Sequence, residues 1–410
     1  MLSLPYRRKL TATAQEGATG MSDLQPDRPA RPSKPMKPRL VLGAILGLAA
    51  LSTAGFGLWI ASLPPASVAL APPVPQAETD ALLAALKPKR PRPLIAIVGI
   101  NDATETTDYL LPHGILKRAD VAEVVSIATG PGPVRLFPAL TVQPDMTIAD
   151  FDASYPEGAD HVIVPAMSRD DDPVVTDWLR DQARKGAVIV GICAGAKVLA
   201  AAGLLKGKRA VTHWYYLDRL RKIDPTIAHA PDRRMVADGG VVTTTGITAS
   251  MPMMLTLVEA IAGRPRAEAV ARDLGIARWD ARHASGAFAL SRPFAVTVLA
   301  NRLAFWNHEE LGIALAPGMD EVSLALAADA WSRTYRSTVT AYAPSGTVET
   351  RNGIRLIPDR QGTDGPEARR VPIFPESPPA EALDRTLAAI AARYGAGTAD
   401  AVAMQLEYPR

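Results

Sequence analysis

The chain has 410 residues, 48% of them apolar, with a formal net charge of +3 and a single cysteine. That length suits two to three domains. The charge is too small to argue for a nucleic-acid partner. One cysteine excludes an intrachain disulfide framework, and the six histidines are scattered without metal-ligand spacing, so neither a metal nor another cofactor is expected.

Residues 1–39 are polar, basic and proline-rich, and are expected to be disordered. Residues 40–63 carry no charged side chain and are long enough to cross a bilayer as a helix. Arg28, Arg31, Lys34, Lys37 and Arg39 precede this run, and no Lys or Arg follows until Lys87. The positive-inside rule therefore places the N-terminus in the cytoplasm and the globular part across the inner membrane, in the periplasm. Trp59 fits an interfacial anchor. The rival reading is a cleaved signal peptide and a secreted product, with Ala69-Leu70-Ala71 as the cleavage site. Residues 64–93 hold PPASVALAPPVP and KPKRPRP, and read as a semi-stiff extended linker.

From Leu94 the chain alternates strand and helix signals, which argues for an α/β domain with a doubly wound parallel sheet over residues 94–282. Leu94–Ile100 and His161–Pro165 are short apolar strands, and 172–185 is an amphipathic helix with Val175, Trp178 and Leu179 on one face. Ala187–Ile192 is a β-branched run that ends in Gly191-Ile192-Cys193-Ala194-Gly195 and a small-residue helix. This is the cysteine form of a nucleophile elbow, a strained strand-to-helix turn with a glycine on either side of the reactive atom. Sulfur at a helix N-terminus is expected to favour thiolate. The competing reading is a buried structural cysteine.

Residues 283–307 read as a connecting segment, and residues 308–410 as a degenerate partial repeat of the domain. Pro133–Asp145 lies on Thr347–Asp359 without a gap, matching Val134 with Val348, Val142 with Leu356 and Asp145 with Asp359. Leu94–Ile100 is set against Leu311–Pro317, and Ala269-Val-Ala against Ala401-Val-Ala. The second copy lacks its middle, including any elbow.

Residues 92–275 resemble the ThiJ/PfpI superfamily, the class I glutamine-amidotransferase-like fold. The resemblance rests on Ile192-Cys193-Ala194-Gly195-Ala196, Ala202-Gly203-Leu204-Leu205-Lys206-Gly207, Ala210-Val-Thr-His213-Trp214, and Asp238-Gly239-Gly240 running to Gly246. The order is closest to isocyanide hydratases and to the amidase-like domain of GlxA-type AraC regulators, without the DNA-binding part. It implies a flavodoxin-like sandwich with the cysteine above the sheet. It also implies an acid beside the sulfur: Asp108 in Thr106-Thr-Asp108-Tyr-Leu-Leu-Pro112, with Glu105 as the second candidate and helix capping as the plain alternative for Asp108. His213 is either a proton shuttle or a core histidine. His229 and His283, without motif support, are expected at the surface. Ala166, Met167 and Ala194 would supply N–H donors to an oxyanion, and Thr245 and Gly246 the pocket wall. Where the family usually has Pro-Gly-Gly, this chain has Pro165-Ala166-Met167, and Ala194 replaces the His of the protease branch, so a protease is not expected.

Two functions follow. One is a cysteine-dependent hydratase or hydrolase acting on a small electrophile. The other is a non-catalytic binding or redox-sensing module. Superfamily members commonly dimerise, so a homodimer or an internal pseudo-dimer is expected.

Overall fold

The computed structural model describes residues 52–344, 346–362 and 369–409. Two compact units divide at Gly57, and the described part of the first, residues 52–57, is helical. The expected disordered tail and the first half of the apolar run, residues 40–51, lie outside the described residues. Among the described residues, no helix is long and apolar enough to cross a membrane.

The second unit is built on a seven-stranded sheet. Its order is Met235–Asp238, Val241–Thr244, Val188–Gly191, His161–Val164, Leu94–Gly99, Glu123–Ala128 and Met146–Thr147. All neighbours are parallel except the first pair. The five strands from Glu123–Ala128 to Val241–Thr244 follow the flavodoxin-like order, which leaves a crevice at the carboxyl ends of the strands. Leu94–Gly99 is buried along its whole length because helices cover both faces. Ile95 and Ile97 pack under Thr106–Ala119 and Ser250–Ala262, while Ala96 and Val98 pack on the opposite side with Phe151 and Trp178.

The segment 64–93 is not simply an extended linker. Gln76–Ala85 is helical, Leu82 and Leu86 are buried in the main core, and Glu78 pairs with Arg209 and Arg233. Asp160 fixes the entry to the first strand by accepting from the backbone N–H groups of Lys89, Arg90 and Leu94.

Glu309–Ala314, Ser337–Ala343 and Arg360–Gln361 form a second, three-stranded parallel sheet. One face carries the helix Glu321–Ser332, which Asp320 caps by accepting from the N–H groups of Val322 and Ser323. This helix lies against Thr106–Ala119. Gly114 permits the approach, since a Cβ there would sit 2.7 Å from Val322 Cγ2. The two sheets thus share one apolar core, including Leu110, Leu111, Leu311, Ile313, Leu326 and Trp331. The other face of the small sheet is polar, with Glu310 bonded to Thr340 and paired with Arg360.

The two halves also join edge to edge. In the antiparallel pairing of Arg355–Leu356 with Thr141–Gln143, Leu356 lies opposite Val142 and Arg355 opposite Gln143. Asp145 accepts from the N–H of Ser126, and Asp359 accepts from that of Ala341. Ile97 sits beside Ser126 and Ile313 beside Ala341. Ile97 and Ile313 both lie in the shared core.

Candidate active site

Cys193 is where the elbow reading places it, between the strand Val188–Gly191 and the helix Gly195–Ala201. Its φ is +54°, a strained left-handed conformation for a residue with a side chain. Two threonines hold the strain. Thr244 Oγ1 accepts from the Cys193 N–H at 3.0 Å, and Thr212 Oγ1 donates to the Cys193 carbonyl at 2.9 Å. The flanking glycines are required by contact. A Cβ on Gly195 would overlap the carbonyl oxygen of Val164, and one on Gly191 would lie 3.1 Å from the Ala196 nitrogen.

The sulfur is buried, with Cys193 only 4% exposed. Its thiol is pushed well above the ordinary range, first by burial, then by the charges of Asp108, Glu105 and Glu407, against which the Ala194 N–H works. The expected thiolate is therefore corrected: in the closed site the sulfur is a neutral thiol. The seven-residue helix that follows does not outweigh desolvation and three nearby carboxyls.

Asp108 and Glu105 share the start of Thr106–Ala119. Capping belongs to Glu105, whose Oε2 accepts from the Asp108 N–H at 2.6 Å and from Thr107 Oγ1 at 2.8 Å. Asp108 sits one turn in, fully buried. Its Oδ2 accepts from the Ala166 N–H at 3.0 Å, and its Oδ1 has no hydrogen-bond partner. Burial, then the neighbouring Glu105, pushes the Asp108 carboxyl well above its usual range. Burial, then Asp329, pushes Glu105 up to about 7, with Arg333 opposing. Burial thus favours the protonated form of Asp108, and Oδ1 is the oxygen free to carry that proton.

The Ala166 N–H, expected to face an oxyanion, is spent on Asp108. The backbone around Met167 is tied to the strand Asp102–Glu105 through a bridge with Thr104 and through Glu105 N–H to Ala166 O at 2.8 Å.

His213 is buried with both ring nitrogens engaged. Nε2 lies 2.9 Å from the Gln405 carbonyl, and Nδ1 accepts from the Tyr215 N–H at 3.2 Å. That pattern fixes one neutral tautomer and leaves no nitrogen toward the sulfur; burial lowers its pKa in keeping. Thr245 is buried, and its N–H donates to Arg234 O. Gly246 contacts Glu407: a Cβ there would lie 2.6 Å from Glu407 Cβ. His229 is half-buried and His283 is buried, so neither sits freely at the surface as expected.

Several residues that shape the site come from residues 308–410 and carry no motif. Arg333 donates through Nη2 to Glu105 Oε1 at 2.8 Å and through Nε to Asp329 Oδ2 at 2.7 Å. Glu407 accepts from the N–H groups of Trp214 and Gly246 at 2.6 and 2.7 Å, and its Oε2 lies 3.3 Å from His283 Nε2. Burial works against the Glu407 charge, but these partners hold its carboxyl at about 2. Tyr216 lies within electrostatic reach of Cys193 and Arg333. Among the described residues, no group of three or more His, Cys, Asp or Glu side chains could hold a metal ion.

The DJ-1/PfpI family pattern matches residues 95–260. The isonitrile hydratase of Pseudomonas putida is 34% identical over 168 residues, which span 40% of this chain and 70% of that one. The chain belongs to the DJ-1/PfpI family. The transcriptional regulator GlxA of Rhizobium meliloti is 31% identical over 176 residues, 40% of this chain and 50% of the regulator. The structure of Drosophila melanogaster DJ-1beta aligns with a TM-score of 0.42 and 23% identity, over 46% of this chain and 100% of that one. The DJ-1/PfpI match ends before Arg333 and Glu407, so both lie outside the part shared with the family.

Proposed function

We propose that this DJ-1/PfpI protein is a thiol-dependent hydratase of a small, uncharged electrophile, with an isonitrile as the substrate class. The observation that carries the reading is Asp108 Oδ1: it is buried and without a partner on a carboxyl whose pKa is raised, which equips it as a general acid. Adding a thiol to the terminal isonitrile carbon forms the S–C bond and needs one proton at the same carbon. Asp108 delivers its proton there and takes the proton that leaves Cys193. The resulting thioimidate adds water, the S–C bond breaks, and the product is an N-substituted formamide with Cys193 and Asp108 restored. The balance is isonitrile plus water to formamide.

Hydration is favoured over hydrolysis of an ester or amide because acyl transfer builds charge on oxygen. The Ala166 N–H that would meet such an oxyanion is already bonded to Asp108. An oxidant sensor is less well supported, since oxidation proceeds through thiolate and this thiol is pushed up. The test is formamide release from a small alkyl isonitrile by the wild-type protein, Cys193→Ser and Asp108→Asn. Release by the wild type alone supports the reading. Wild-type turnover no faster than buffer would leave a binding module.

We infer also that residues 308–410 are a partial second copy packed as an internal partner. Three features support this: the facing of Val142 and Leu356, the paired roles of Asp145 and Asp359, and two matching helix junctions. Gly263 (φ 82°, ψ 166°) separates Ser250–Ala262 from Arg264–Leu274, as Gly395 (φ 92°, ψ 155°) separates Pro379–Tyr394 from Ala396–Leu406. Anchoring through residues 40–63 is likewise proposed from the charge-free run and its basic flank. Its test is release from membranes by detergent but not by high salt.

A further inference from the structure

Away from Cys193, the helical segment Gln76–Ala85 and the turn before it dock beside residues 278–282 and enclose a cleft with two lobes. One lobe, about 390 Å³, is lined by Arg234, Arg278, Arg282, Asp280 and Ala71. The other, about 530 Å³, shares Arg278, Asp280 and Arg282 and is walled by Val74, Leu83 and the Trp279 ring, among others. Both volumes fall in the range of small-molecule sites.

The charge in the first lobe does not balance. Asp280 is paired with Arg282. Arg278 makes no hydrogen bond or ion pair among the described residues. Arg234 is held by Nε donating to the Arg282 carbonyl at 3.0 Å, and its other nitrogens have no protein partner among the described residues. Neighbouring cations are tolerated here without a second acid in the lobe. Burial lowers the Arg234 pKa; Asp280 and Glu407 oppose the shift, and the like charges of Arg282 and Arg278 add to it. On the adjoining side Arg264 lies over the Trp279 ring at 4.0 Å and is itself paired with Glu259 and Glu268, so the second lobe is neutralised where the first is not.

We propose that this cleft binds an amphipathic organic anion, a carboxylate with an apolar tail. The head would sit between Arg234 and Arg278, where a planar guanidinium fork matches a carboxylate. The tail would lie along Val74 and Trp279. The site is separate from the Cys193 chemistry, and it exists only because the segment expected as a linker packs onto the domain.

The test is calorimetric titration of the full chain with decanoate, decanol and inorganic phosphate. Decanoate is expected to bind, with decanol and phosphate each at least about tenfold weaker, because each lacks one half of the match. Arg278→Ala, at an exposed position, is expected to weaken decanoate by about tenfold and Arg278→Glu by more. Isonitrile turnover by Arg278→Ala should be unchanged, which keeps the two sites distinguishable. Equal binding of decanoate and decanol, phosphate binding as well as decanoate, or decanoate binding indifferent to Arg278→Glu would each overturn the proposal.

Discussion

Arg333 and Glu105 lie 228 residues apart in sequence and 2.8 Å apart in space, with side chains 3% and 5% exposed. Through this contact the C-terminal segment reaches the acid pair beside Cys193. Arg333 is the cation that faces Glu105, Asp329 and, more distantly, Asp108. Replacing it with Met leaves three buried carboxyls without a facing cation. A loss of about 3–5 kcal/mol is expected, the usual effect of breaking a buried pair. Urea unfolding measures it; a loss under 1 kcal/mol would mean that water reaches the cluster.

Two of these buried acids set opposite limits on stability against pH. Glu105 is pushed from the usual 4.5 up to about 7. The folded chain keeps that proton where the unfolded chain releases it, so the contribution is complete below 4.5 and lost as pH rises through about 7. Glu407 is held down at about 2, so its contribution is complete above 4.5 and lost as pH falls through about 2. The combined contribution of these two groups is greatest near pH 4.5. Glu105→Gln should flatten the alkaline limb of the unfolding profile and leave the acid limb in place. A profile between pH 4.5 and 7 that Glu105→Gln leaves unchanged would contradict this assignment.

Gly246 makes room for Glu407. In Gly246→Ala the new methyl meets Glu407 Cβ, Cγ and Cδ at 2.6–2.7 Å. Glu407 must retreat from the N–H groups of Trp214 and Gly246, at a cost of about 1–3 kcal/mol. Hydrogen exchange at residues 396–408 should accelerate in this variant while the strand Leu94–Gly99 stays protected. Unchanged exchange would show that the C-terminal contact yields without strain.

How far the sequence foretold this arrangement depends on whether a residue's role is local. The elbow was legible because its glycines sit beside the cysteine and their reason is short-range: Gly195 packs against Val164 O, and Gly191 against Ala196. The acid pair was legible only through the family resemblance of Thr106 to Pro112, and the division of labour between Glu105 and Asp108 was not, since it depends on which oxygen meets Thr107 and which meets Ala166. The protonation of Cys193 was misjudged because desolvation is a property of the packed chain. Arg333 and Glu407 were invisible, being brought to the site by pairings made after the chain has folded back on itself. The segment 64–93 hid its helix behind its prolines; the signal was Leu82 and Leu86, four residues apart and both buried.

If the second sheet covers the first half as an internal partner, its removal uncovers the apolar face formed by Leu110, Leu111 and the neighbouring core residues. A chain ending at Arg282 should aggregate, or pair with a second copy across the strand edge at Val142. Gel filtration decides. A soluble monomer would argue that residues 308–410 are an appendage.

The account rests on a buried thiol kept neutral beside a buried acid whose pKa is raised. The most direct test is the pH dependence of Cys193 alkylation by iodoacetamide, followed by intact mass. The predicted midpoint lies above the usual 9.0, and it falls in Asp108→Asn, because Asp108, once ionised at the alkaline pH where the thiol titrates, is one of the charges that raise it. A midpoint at or below that of an ordinary cysteine, unmoved by Asp108→Asn, would contradict the central claim.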